Sequence, residues 1–115
     1  MKLVTAIIQP YRLDAVISAL ELAGSSGVTI SEAQGAGRQK GHTEVYRGAE
    51  YQVDYVPKLR LEILTTDAQV EAIIGAISGA ARSSGGGALG DGKIWMTDVE
   101  EVVRVRTGER GEAAI

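Results

Sequence analysis

The sequence predicts an α+β domain of the split βαβ type, in which two helices cover one face of a mostly antiparallel sheet. Three observations carry that prediction. Lys2 to Ile8 is apolar and β-branched on both parities, as in a strand at a sheet centre. Lys58 to Leu64 alternates, with Leu59, Leu61 and Ile63 on one face and Lys58, Arg60 and Glu62 on the other, as in a half-buried strand. Two helical stripes, Leu13, Val16, Ile17, Leu20 and Val70, Ile73, Ile74, Ile77, each follow one of those strands. The resulting order, βαβ, long loop, βαβ, short β, is that of a ferredoxin-like βαββαβ sandwich.

Each element has its own signal. Pro10 ends the first strand, and Gly24 to Gly27 stops the first helix. Val28, Thr29 and Ile30 begin a second strand. Arg38 to Asp54 has no sustained period, so Gly37 to Asp54 is predicted as one exposed loop, longer than the ~12 to 15 residues at which structureless loops become uncommon. Thr66 with Gln69 resembles a capping box opening the second helix. A glycine-rich loop, Ser83 to Gly92, precedes two short strands near Lys93 to Met96 and Val102 to Thr107. In the latter, Val103 and Val105 alternate with Arg104 and Arg106. One sheet face is left uncovered, and the apolar run Val4 to Ile8 predicts that another subunit covers it.

Composition narrows the function. The chain of 115 residues is one small domain with no cysteine, one Trp, four Tyr and no Phe, so its core is aliphatic and subunit association supports it. A net charge of −3 argues against a phosphate-backbone binder, and the missing cysteines remove zinc-thiolate and thiol chemistry. No apolar run reaches the ~18 residues of a membrane span, and nothing resembles a signal peptide, so a cytoplasmic protein is expected.

The glycine loop matches G-x-x-x-x-G-K at Gly87 to Lys93 and G-x-G-x-x-G at Gly85 to Gly90, and both matches fail on context. Ile94, not Ser or Thr, follows the lysine, and the loop leaves a helix to enter a strand. Successive glycine amides beside a lysine still make an anion nest, with a flexible connector as the alternative. Arg104 and Arg106, two residues apart on a predicted strand face, converge on one anion or decorate a solvated edge. Grouped with Lys93 and the nest, they favour a polyanion such as a nucleotide phosphate chain. His42, the single histidine, is expected to be a loop hydrogen-bonding residue, and no catalytic constellation is visible.

The segment Gly37-Arg-Gln-Lys-Gly-His-Thr-Glu-Val-Tyr-Arg-Gly-Ala-Glu-Tyr51 closely resembles the T-loop of the PII nitrogen-regulatory signal-transduction proteins. The resemblance continues through Ile7-Ile8-Gln-Pro-Tyr, Gly90-Asp-Gly-Lys93-Ile and Arg104-Val-Arg-Thr-Gly-Glu-Arg110, and looks most like actinobacterial members. It implies a homotrimer with nucleotide sites in the clefts between subunits. There ATP and ADP compete, and 2-oxoglutarate joins Mg-ATP at the base of a T-loop spanning about 37–55. Carried over by position, the nucleotide contacts are Thr29, Gly37, Arg38, Glu62, Gly90, Gly92, Lys93, Arg104 and Arg106. Gln39 completes the Mg2+ shell and touches 2-oxoglutarate, and Lys58 pairs with its carboxylate. A B-loop at about 82–92 and a C-terminal segment at about 102–115 complete the single 1–115 domain.

The implied function is non-enzymatic control of an ammonium transporter, which recruits the protein to the membrane, and of nitrogen-metabolism enzymes. Tyr51 is the acceptor for a separate nucleotidylyltransferase, with adenylylation expected over uridylylation. Neither a permanent cofactor nor direct nucleic-acid binding is implied. Two positions depart from the family. The B-loop is about three residues longer and lacks a lysine that normally contacts phosphate, and Gln9 stands where a basic residue precedes Pro10. A paralogue that binds adenylates but has lost or altered 2-oxoglutarate coupling is therefore the alternative. A nucleotide phosphohydrolase lacks a water-activating residue. An RNA binder would need aromatic platforms on its central strands.

Overall fold

The structure, a computed structural model, describes residues 1–37, 43–46, 49–52 and 55–115, the two short middle segments by their main chain. Its strands are β1 (Lys2–Ile8), β2 (Thr29–Gly35), β3 (Thr43–Tyr46), β4 (Ala49–Gln52), β5 (Val56–Thr65) and β6 (Gly92–Asp98), and its α-helices are α1 (Leu13–Leu22) and α2 (Val70–Ala81). Apolar residues at alternate positions of β1 and β5 dictate the core. Val4, Ala6 and Ile8 pair across the ladder with Ile63, Leu61 and Leu59, and this whole row faces the helices. Val16 and Leu20 of α1, with Val70, Ile73, Ile77 and Ala81 of α2, close over it. Each fully buried aliphatic side chain stabilises the fold by roughly 1.5 to 3 kcal/mol.

The four-stranded sheet has the order β2-β5-β1-β6 with every pairing antiparallel, which is the ferredoxin-like arrangement the element order predicts. On its helix-free face, Thr29, Glu62, Thr5 and Trp95 form one row and Ser31, Arg60, Ile7 and Lys93 the next. Leu64 and Trp95 remain 37% and 42% exposed there, an apolar surface without cover in the single chain. Helix α1 ends where expected: Gly24 takes φ +81°, and its amide and that of Ser25 bond back to Glu21 and Leu20. No helix among the described residues is long and apolar enough to cross a membrane.

Three expectations need correction. Val102 to Thr107 is not a strand. Its V-R-V-R alternation has no sheet neighbour to pair with and folds on itself instead: Arg104 N donates to Glu109 O at 2.9 Å, Gly108 N donates to Arg104 O at 2.7 Å, and Val103 bridges Arg110. Arg104 therefore closes a reversal and Arg106 lies within it, rather than the two sharing a strand face. The predicted single loop from Gly37 to Asp54 contains an antiparallel ribbon, β3 against β4, with Glu44 opposite Tyr51. Finally, no side chain caps α2. The Thr66 carbonyl accepts the amides of Gln69 and Val70 at 3.1 Å, a main-chain turn in place of the capping box.

Candidate functional site

The glycine loop is built by its conformation. Gly85, Gly86, Gly87, Gly90 and Gly92 all have positive φ, from +82° to +120°, where a side chain is strained. Gly92 is the tightest position, since a Cβ there would lie 1.8 Å from the Ile7 carbonyl oxygen across the β1–β6 ladder. Asp91 ties the loop together. Its carboxylate accepts the amides of Ser83 and Ala88, each at 2.9 Å, and the Ser83 hydroxyl. The Ser83 hydroxyl, then the two amides, hold the Asp91 carboxyl down at about 2, against an ordinary 3.8. Gly-Asp-Gly is legible in the sequence, but the structural task of Asp91 emerges only from the fold. An aspartate between glycines is the usual signal of such a side-chain-closed turn.

This loop forms one wall of a cleft of about 700 Å3, and Gly35 to Gly37, where β2 gives way to the 38–54 segment, form the other. Lys58, Gly90, Gly92 and Lys93 line it together with Ile7 and Trp95. Lys58 is only 7% exposed and donates to the Gly90 carbonyl oxygen at 2.5 Å. Burial pulls its pKa below the ordinary lysine value, against the opposing influence of Asp91 and Tyr11. An ammonium held in partial desolvation gains from an anionic partner. Lys93, by contrast, is exposed and makes no ion pair among the described residues. The cleft thus combines two cations, glycine main chain and an apolar floor.

Five predicted contacts, Gly37, Lys58, Gly90, Gly92 and Lys93, come together here. Thr29 and Glu62, paired on β2 and β5, lie instead in a second cleft of about 500 Å3, lined also by Leu3, Val28, Leu64, Ala114 and Ile115. Glu62 is partnered by Arg60, whose Nε stands 3.5 Å from its carboxylate. Arg104 and Arg106 line neither cleft. The Arg104 guanidinium is engaged by Glu109 at 2.8 Å and by the Ile115 main-chain oxygen at 3.3 Å. Arg38, Gln39 and His42 lie outside the described residues, and Tyr51 is described by its main chain in β4. Sequence reasoning missed Ile7, Trp95 and the Ala114–Ile115 wall, whose apolar character is also what a core residue shows.

Fold and clefts together define a ferredoxin-like domain with a basic, glycine-lined cleft beside the exit of its edge strand. The sequence model of the family described as nitrogen regulatory protein P-II matches residues 1–109. Proteins named nitrogen regulatory protein P-II are 56% identical in Azospirillum brasilense, 54% in Rhizobium meliloti and 53% in Pasteurella multocida. In each case the match spans 115 residues and the full length of both chains. The chain belongs to the nitrogen regulatory protein P-II family. It is a signal-transduction regulator and not an enzyme.

Proposed function

We propose that this chain senses adenylate nucleotides and 2-oxoglutarate as a homotrimer and reports their binding through its 37–55 loop. The single observation that carries the reading is the larger cleft, where Gly37 at the start of that loop faces Lys58, Gly90 and Lys93. A ligand there touches cations suited to phosphate or carboxylate and, at once, the first residue of the segment that must change state. Such a ligand shifts the loop only by its differential affinity for the two loop states, so ATP with 2-oxoglutarate and ADP alone favour different ones.

The phosphates lie against the Gly90 to Lys93 main chain and the Lys93 ammonium, and Arg38 joins them from the loop. The base enters the smaller cleft, beside Thr29 and Glu62, on a neighbouring subunit, which also brings Arg104 and Arg106 to the phosphates. Mg2+ enters on the nucleotide, with Gln39 as the protein ligand. Lys58 takes a 2-oxoglutarate carboxylate. The partners are an ammonium transporter, which draws this cytoplasmic protein to the membrane, and enzymes of nitrogen metabolism. Tyr51 receives an adenylyl group from a separate nucleotidylyltransferase.

Calorimetry tests the reading: ATP and ADP each bind, and 2-oxoglutarate binds measurably tighter with Mg-ATP present. Failure of both nucleotides to bind at millimolar concentration overturns it. A second reading keeps adenylate binding and drops 2-oxoglutarate coupling. It is favoured by the bond Lys58 already makes to Gly90, which a carboxylate must displace, and by the lengthened loop. Mg-ATP that leaves 2-oxoglutarate binding unchanged selects it.

A further inference from the structure

On the far side of the glycine loop, between it and the C-terminal end of α2, lies another cleft of about 700 Å3. Gly86 and Gly87 line this cleft and not the one that faces Gly37, so the lengthened stretch of the loop is its wall. Its floor is aliphatic, formed by Ile8, Ile74, Ala81 and Ile94. One cationic side chain borders it. Among the described residues the Arg82 guanidinium has one long contact, 3.4 Å to the Ser78 hydroxyl, whereas the Lys93 side chain leaves β6 on the helix-free face. Asp91 is the one carboxylate on the lining, and its oxygens are taken by Ser83 and Ala88, so its charge is turned into the loop rather than onto a ligand.

We propose that this cleft is a second anion site, taking a small molecule with an oxyanion head and a compact aliphatic body. The floor removes the body from water, and the planar fork of Arg82 receives the head, a phosphate monoester or a carboxylate. Ala88, Asp91 and Gly92 line both clefts, so two anions bound at once face each other across one loop and repel. A ligand here weakens phosphate binding in the first cleft, and the nucleotide weakens this ligand by the same factor. That last coupling rests on the proposed nucleotide site; the second site itself does not.

The test is an NMR titration of the full chain with isobutyl phosphate and with isovalerate, using inorganic phosphate as the head-only control. Saturable shifts at Ile74, Ser78, Arg82 and Gly86 are expected with at least one of the two aliphatic anions, and the tighter of them identifies the head. Arg82→Gln lowers that affinity about tenfold while ATP binding persists, and Arg82→Lys recovers part of the loss. Isobutyl phosphate raises the apparent Kd for ATP in the unmodified chain and not in Arg82→Gln. No saturable shift at these residues, or unchanged affinity in Arg82→Gln, overturns the site. Inorganic phosphate binding as tightly as isobutyl phosphate overturns the aliphatic-body assignment. Absent ATP binding beside intact isobutyl phosphate binding overturns the nucleotide reading alone.

Discussion

The cleft around Lys93 and the cleft around Glu62 sit toward opposite ends of one sheet face and are built by opposite means. Ile7 lines the first and Leu3 the second, four residues or about 13 Å apart along β1. The first is glycine main chain and two lysines, its wall closed by the Asp91 hydrogen bonds. The second is aliphatic, with one carboxylate already leaning on Arg60. A phosphate chain suits the first, and a flat uncharged ring with an amino edge suits the second. Neither is a whole nucleotide site, and in the proposed trimer a neighbouring subunit on the uncovered apolar face between them completes both.

The largest effect is expected from breaking the first cleft's geometry. Gly92→Ala places a methyl group 1.8 Å from the Ile7 carbonyl at φ +120°, and urea unfolding should show a loss of at least about 3 kcal/mol. A loss under about 1 kcal/mol would mean that the β1–β6 approach is not a constraint. Next, the chemical contrast between the clefts predicts different signatures. Lys93→Gln weakens ATP binding by roughly 1.5 to 3 kcal/mol in calorimetry, with a reduced salt dependence. Glu62→Gln weakens it less and leaves the salt dependence intact. Identical salt profiles for the two variants would erase the distinction.

Asp91 sharpens the comparison by pH. Its carboxyl is held down to about 2 in the fold against an ordinary 3.8, so its contribution to stability is present above about pH 4 and is lost as pH falls through 2. Acid unfolding monitored across that window should be less steep in Asp91→Asn, where no carboxylate titrates. The smallest effect lies away from both clefts. Gly75 sits in α2 with nothing within 4 Å of where an added methyl group would stand, so Gly75→Ala should stabilise the chain by about 0.5 to 1 kcal/mol, read from the same urea unfolding.

Most of the fold was legible because β5, α1 and α2 bury one face each, which writes itself as periodicity, and because the central β1 is apolar on both parities. The C-terminal segment deceived for the same reason. Val103 and Val105 alternate with arginines as in a strand, yet Val105 is 97% exposed, and the reversal is marked only by Gly108 at φ +74°. Strands of four residues, Thr43–Tyr46 and Ala49–Gln52, are too short to show a period at all. At the site, Lys58 and Lys93 were readable as cations near a glycine nest. That they share a cleft follows from the β1–β6 register, which no local pattern encodes, and the separation of Glu62 from Lys93 follows from the strand order.

If clefts of two different subunits make one nucleotide site, chains defective in opposite clefts must restore binding when they assemble together. Chains carrying Lys93→Ala and chains carrying Glu62→Ala, each weak for ATP alone, are unfolded together, refolded together and titrated with Mg-ATP. Sites pairing an intact Lys93 with a neighbour's intact Glu62 should recover tight binding in a fraction of the clefts. If the co-assembled mixture binds no better than the two variants kept apart, the site does not span subunits and the account fails.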